Sequence, residues 1–145
     1  GDAPHFELNE EKAVQDAVFQ MIRKGLVHSV HDVSDGGLAV CVAEMVIFSE
    51  HCGADIQLEN ADYIRLDALL FGEAQSRVVV AVPAKYVQDV QKTATTNGAQ
   101  ATRVGTVTGN SFRLSVNGME MFDFFSEELR QAYENTLPHL MEVAI

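Results

Sequence analysis

The chain has 145 residues, 47% hydrophobic and 21% charged, with a net charge of −11. That size and balance suit one domain with a core of its own, held without a disulfide or metal staple. The ten Lys and Arg residues are scattered and form no basic stripe, which excludes a nucleic-acid-binding surface, and no apolar run is long enough to span a membrane. The first predicted element is a helix. Val14, Ala17, Val18, Met21 and Ile22 fall at i, i+3, i+4, i+7 and i+8 and make one apolar face. Asn9 is its expected N-cap, Glu10 and Glu11 a solvated start that suits the positive helix end, and Gly25 its stop. Leu26 to Val33 reads as a short strand. After Ser34-Asp35-Gly36-Gly37 a second helix presents Leu38, Cys41, Val42, Met45 and Val46, and ends between Ser49 and Gly53.

Ala54, Ile56 and Leu58 alternate with polar residues, the pattern of a half-buried strand. Leu66, Leu69 and Leu70 suggest a helical turn before Gly72, and Val78 to Val82 a strand buried on both faces. Pro83 opens the next helix, where its missing N–H costs nothing; Tyr86, Val87, Val90 and Ala94 face inward, and Asn97-Gly98 stops it. A strand follows over 101–108. Phe112, Leu114 and Val116 then alternate up to Asn117-Gly118, and Met119 and Met121 after it, which predicts a two-residue hairpin. Ser126, Glu127 and Glu128 start a last helix that Pro138 bends or ends. The order predicts an α+β fold, a mixed β-sheet with flanking helices, as one domain over residues 1–145. Cys41 and Cys52 show no CxxC spacing, so a reducing cytoplasm fits best. The opening Gly1-Asp2-Ala3-Pro4 reads as a segment of a longer protein or a processed product.

Two segments could carry chemistry. In His31-Asp32-Val33-Ser34-Asp35-Gly36-Gly37-Leu38, two carboxylates, a hydroxyl, an imidazole and two glycines stand between a strand and a helix. The glycines admit close backbone approach, and the N–H groups opening the helix favour an anion such as phosphate. Asp32 and Asp35 are instead candidates for Mg²⁺, a hard cation that takes carboxylate and water oxygens. The plainer reading is a helix entry capped by Ser34 or Asp35. In Leu70-Phe71-Gly72-Glu73-Ala74-Gln75-Ser76-Arg77, Glu73 and Gln75 suit hydroxyl or amide groups of a ligand, and Arg77 a phosphate or carboxylate. The alternative is a polar loop with Arg77 in a structural ion pair. His28 and His31 lack a third ligand for zinc, and no glycine loop with Lys supplies an ATP cradle.

At these segments the chain resembles the phosphoribosylformylglycinamidine synthases. His31 to Leu38, continuing to Ala43-Glu44-Met45, is similar to their HDVSDGGLAVALAE signature, and Leu70 to Arg77 to LFSESQSR. The leading Ala3 to Phe6 and the closing helix match as well. The resemblance implies a C-terminal domain of the aminoimidazole ribonucleotide synthase-like fold, in an enzyme that joins ammonia to formylglycinamide ribonucleotide. There ATP activates the formyl amide oxygen, and the amidine, ADP and phosphate are released. The implied partners are the N-terminal synthetase domains of the same enzyme, a glutaminase domain or subunit, and the small ribonucleotide substrate, with no nucleic acid and no membrane. Mg²⁺ and ATP belong to the full-length enzyme, and the isolated domain is expected to require neither and to catalyse nothing.

By position, the resemblance assigns Asp32 to metal and the Glu73-Ala74-Gln75 segment to the ribonucleotide; the chemistry of the two segments adds Asp35 as a second metal candidate, and Ser34, Gly36, Gly37, Ser76 and Arg77 beside Glu73 and Gln75 as candidates for substrate or phosphate. Ala74 stands where the family has Ser, so one hydroxyl contact is missing. The His-Asp-Val-Ser-Asp-Gly-Gly form is typical of the second of two C-domain copies, whereas the catalytic half carries a Gly-Ala-Ala-Gly form; this chain is therefore expected to be the second copy. The alternatives are the C-domain of another superfamily member (aminoimidazole ribonucleotide synthase, thiamine-monophosphate kinase or selenide water dikinase), or a non-catalytic ligand-binding or assembly module.

Overall fold

The computed structural model describes residues 6–49 and 51–143, so of the leading Ala3-to-Phe6 motif only Phe6 falls among the described residues. The elements are α1 (Leu8–Arg23), β1 (Ser29–Asp32), α2 (Gly37–Ile47), β2 (Gly53–Leu58), α3 (Leu66–Phe71), β3 (Val78–Ala81), α4 (Val87–Thr96), β4 (Gly105–Thr108), β5 (Ser111–Val116), β6 (Met119–Phe125) and α5 (Ser126–Val143). Their order is the one predicted. The chain divides into two compact units, Gly1–Cys41 with Arg65–Arg103, and Val42–Ile64 with Val104–Ile145, and the boundary falls inside α2.

The core of the first unit forms where α1 meets α4. Ala17, Met21, Leu26, Val90 and Ala94 are buried together, and Val80 and Tyr86 pack against them. The two alanines remove side-chain bulk where the helices approach. Ala17 and Met21 define the inner stripe of α1, and Ile22, predicted to share it, is 54% exposed. It lies one residue, about 100° of helix, beyond Met21 and so turns away. The helix also starts earlier than expected. Glu7 occupies the N-cap without a side-chain cap, and its carbonyl accepts the Glu11 N–H at 3.0 Å, which places Asn9 inside the first turn. At the other end Gly25 (φ +65°) donates to the Ile22 carbonyl and Leu26 to that of Met21, both at 3.0 Å. This double closure satisfies carbonyls that the last turn would leave unpaired.

β1 and β3 pair antiparallel, from Ser29↔Ala81 to Asp32↔Val78, as a two-stranded ladder. Val78 to Ala81 are therefore only half-buried, not covered on both faces as the apolar run suggested. An apolar run reports affinity for a core, not the number of neighbouring strands.

In the second unit the strand order is β4-β2-β5-β6, with β2 and β5 parallel and the other pairs antiparallel, which makes the sheet mixed. Ala54, Ile56 and Leu58 of β2 lie beside Phe112, Leu114 and Val116 of β5, and all six are buried. Leu114 is fully enclosed at 0% exposure. Asn117 (φ 50°) and Gly118 (φ 76°) turn the hairpin with both central residues left-handed, the twist that matches paired strands. A register shift between Leu114 and Ser115 interrupts the pairing, and Met119 is 66% exposed. β4 is shorter than the predicted 101–108. In α5 Glu128 reaches back to accept the Phe125 N–H at 2.8 Å, and the helix runs past Pro138, which does not end it. Among the described residues no helix is long and apolar enough to cross a membrane.

Candidate functional site

The first unit brings the two polar segments together. The Asp32↔Val78 pairing sets the end of β1 beside the start of β3, and the Val33 N–H extends the ladder to the Arg77 carbonyl at 2.9 Å. From that point one strand leads through Ser34-Asp35-Gly36 into α2. The other is entered from α3 through Gly72 to Ser76. The Gly36 N–H donates to Glu73 Oε1 at 3.0 Å, which joins the two segments across 37 residues of sequence. A carboxylate thus sits at the opening of α2, where the positive end of the helix favours it.

The two glycines make this approach possible. Gly37 begins α2 at φ +69°, and a Cβ there would lie 2.5 Å from the carbonyl carbon of Phe71 and 2.9 Å from the Leu70 carbonyl oxygen. Gly36, at φ +80°, would bring its Cβ to 2.6 Å from Val40 Cγ2. The start of α2 therefore rests directly on the end of α3. The entry turn is closed by backbone, the Gly37 N–H donating to the Ser34 carbonyl at 3.0 Å. The side chains of Asp32, Ser34 and Asp35 are exposed, and His31 Nδ1 lies 2.7 Å from the Asp32 carbonyl oxygen.

The Gly72-to-Arg77 loop is held at both ends. Half-buried Arg77 donates from Nη1 to the Gly72 carbonyl at 3.3 Å, which closes the loop. Ser76 stands at φ 62° and donates its hydroxyl to Glu11 Oε2 at 2.7 Å, while Gln15 donates to Glu11 Oε1 at 2.6 Å. These bonds, from Ser76 first and then Gln15, hold the Glu11 carboxyl below its ordinary value. Glu11 stands in the first turn of α1, as expected, and holds a tertiary contact as well. Its role had no signal in the sequence, since its partner lies 65 residues away. Between the two ties Glu73, Ala74 and Gln75 are exposed.

This arrangement offers hard oxygen donors (Asp32, Asp35), an exposed hydroxyl (Ser34), an acid and an amide (Glu73, Gln75) on neighbouring segments. Mg²⁺ commonly takes one or two carboxylates and completes its shell with water and phosphate oxygens. Asp32 and Asp35 fit that pattern as partial ligands. Among the described residues no three Asp, Glu, His or Cys side chains gather into a site of their own.

The profile of the family described as "AIR synthase related protein, C-terminal domain" matches residues 4–117. Curated relatives include the phosphoribosylformylglycinamidine synthase subunit PurL of Salinibacter ruber, 50% identical over 139 residues, 95% of this chain and 18% of that protein. The subunit of the same name from Moorella thermoacetica is 36% identical over 141 residues, 97% of this chain and 19% of that protein. The chain thus spans about a fifth of the length of these relatives. Among solved structures, "T. maritima PurL complexed with FGAR" superposes with a TM-score of 0.74 at 20% identity, covering 83% of this chain and 21% of that one. "Structure of PurLQS from Thermotoga maritima" gives 0.76 at 19% identity over 86% of this chain and 22% of that one. "T. maritima PurL complexed with ADP" gives 0.77 at 19% identity, covering 89% and 23%. At these identities the likeness shows the α+β fold. The resemblance read from the two segments is borne out by relatives that carry the expected name along nearly the whole chain.

Proposed function

The chain belongs to the family of AIR synthase related C-terminal domains, and from that premise we propose that residues 1–145 form one such domain of a phosphoribosylformylglycinamidine synthase. The observation that carries this reading is 50% identity over 95% of the chain to a synthetase subunit of which it spans only 18%. In this reading the whole enzyme, in the cytoplasm, converts formylglycinamide ribonucleotide, ATP and glutamine-derived ammonia to the amidine, ADP and phosphate. The domain works beside the synthetase's N-terminal domains and a glutaminase domain or subunit, and alone it turns over nothing. ATP with Mg²⁺, when bound, supplies phosphoryl activation of the formyl amide oxygen.

The chain's own residues bind and orient. Asp32 and Asp35 offer carboxylates to the metal, completed by ligands from elsewhere in the synthetase. Ser34, the Gly36 and Gly37 backbone, Glu73, Gln75, Ser76 and Arg77 form the wall that meets substrate or phosphate. Support comes from the bonds that bring the two segments together, Val33 to Arg77 and Gly36 to Glu73. The His-Asp-Val-Ser-Asp-Gly-Gly form favours the second, auxiliary copy.

Two assays test the proposal. The isolated chain, given ATP, formylglycinamide ribonucleotide and ammonium, releases no ADP and forms no amidine; measurable amidine refutes the auxiliary-domain reading. Within the whole synthetase, Asp32→Asn leaves kcat close to that of the parent. A loss of about a hundredfold, the size expected when a group stabilising the transition state is removed, assigns this copy to the catalytic cleft instead.

A further inference from the structure

We infer that Glu11 is a positioning residue: from α1 it clamps the Gly72-to-Arg77 loop through Ser76, and so sets where Glu73 and Gln75 stand. Its kinetic readout rests on the function proposed above; its structural readout does not.

The geometry begins with Ser76. At φ 62° it holds a left-handed conformation that non-glycine residues adopt only at a cost. Something must offset that cost, and Glu11 supplies it. One carboxylate oxygen accepts the Ser76 hydroxyl at 2.7 Å. The other oxygen is steadied by Gln15, one helical turn along at 2.6 Å. The clamp is mounted on a rigid element, since Ala17 and Met21 of α1 lie in the core of the first unit. At its far end the loop is tied by Arg77 to the Gly72 carbonyl. Glu73 and Gln75 thus stand on a span whose two ends are held, and Glu73 meets the Gly36 N–H from that span. Without Glu11, Ser76 relaxes towards an ordinary φ. The backbone at Gln75 then rotates, and the Glu73 carboxylate leaves its place at the opening of α2. Glu11 touches no substrate in this account and acts through Ser76.

Hydrogen exchange on the full chain tests the clamp, comparing the parent with Glu11→Ala, Glu11→Gln and Ser76→Ala. Glu11→Ala speeds exchange of the amides of residues 73–77 by roughly three- to tenfold, the scale of one partly exposed charge-assisted hydrogen bond, and leaves the β5–β6 amides unchanged. Glu11→Gln keeps most of the protection, because its amide oxygen still accepts the Ser76 hydroxyl. The Glu11→Ala and Ser76→Ala effects do not add in the double variant. Unchanged exchange over 73–77 in Glu11→Ala overturns the inference. So does acceleration spread equally over the β5–β6 hairpin, which marks a general loss of stability, and so does full additivity. In the whole synthetase, loop acceleration with kcat and the KM for formylglycinamide ribonucleotide both held supports the clamp and agrees with the auxiliary-copy reading. Loop acceleration with a raised KM supports the clamp and overturns that reading, because it places the loop against the substrate that is turned over.

Discussion

Gly37→Ala tests the contact on which the site is built. The residue opens α2 at φ +69°, and its missing Cβ would lie 2.5 Å from Phe71 C, 2.7 Å from Phe71 Cα and 2.9 Å from Leu70 O. Two costs follow. An alanine in the left-handed region loses about 1–2 kcal/mol. The crowding is against backbone, which cannot swing aside as a side-chain tip can, so α3 must shift, and overpacking of this kind costs about 1–3 kcal/mol more. The sum, about 2–5 kcal/mol, is a large share of the roughly 5–15 kcal/mol that holds a domain together. Gly25→Ala supplies the control: it has nearly the same φ, +65°, but nothing lies within 4 Å of its Cβ. It should lose only the conformational part, about 1–2 kcal/mol. Urea unfolding followed by circular dichroism compares the two midpoints. Equal losses for Gly37→Ala and Gly25→Ala would show that α2 does not rest on α3.

Leu114→Ala removes the most enclosed side chain of the second unit, at 0% exposure, and should cost about 2–5 kcal/mol, read as a lowered urea midpoint; a loss below about 1 kcal/mol contradicts a close-packed β2–β5 layer. A pH series addresses Glu11. Its carboxyl is held below the ordinary value of 4.5 by Ser76 and then Gln15, so the folded state binds the proton less readily than the unfolded one. The stability it contributes is fully present above pH 4.5 and is lost as the pH falls through the lowered value. The midpoint should fall on acidification, and less steeply in Glu11→Ala; parallel slopes refute the Ser76–Glu11 bond.

Much of this protein is decided locally and could be read in advance. The inner stripe of α1, the Gly25 and Gly98 stops, the alternation of β2 and β5 and the Asn117-Gly118 turn depend on residues a few positions apart. Side-chain periodicity and the φ values open to glycine and asparagine suffice for these. The two polar segments were visible for the same reason, as dense runs of Asp, Ser, Glu, Gln and Gly between apolar ones. The choice of partners was not. That β2 takes its place between β4 and β5, that among the described residues β3 pairs with β1 alone, and that Ile22 faces out depend on which surfaces meet. The site shows this most sharply. Glu73 finds the Gly36 N–H 37 residues away, and Ser76 finds Glu11 at 65. A hydrogen bond leaves no periodic trace along the chain. The sequence alone determines that these groups exist and that short polar segments carry them. Only the packing of α1, the β1–β3 ladder and α3 in one unit determines which of them meet, because that packing brings groups distant in sequence to hydrogen-bonding distance.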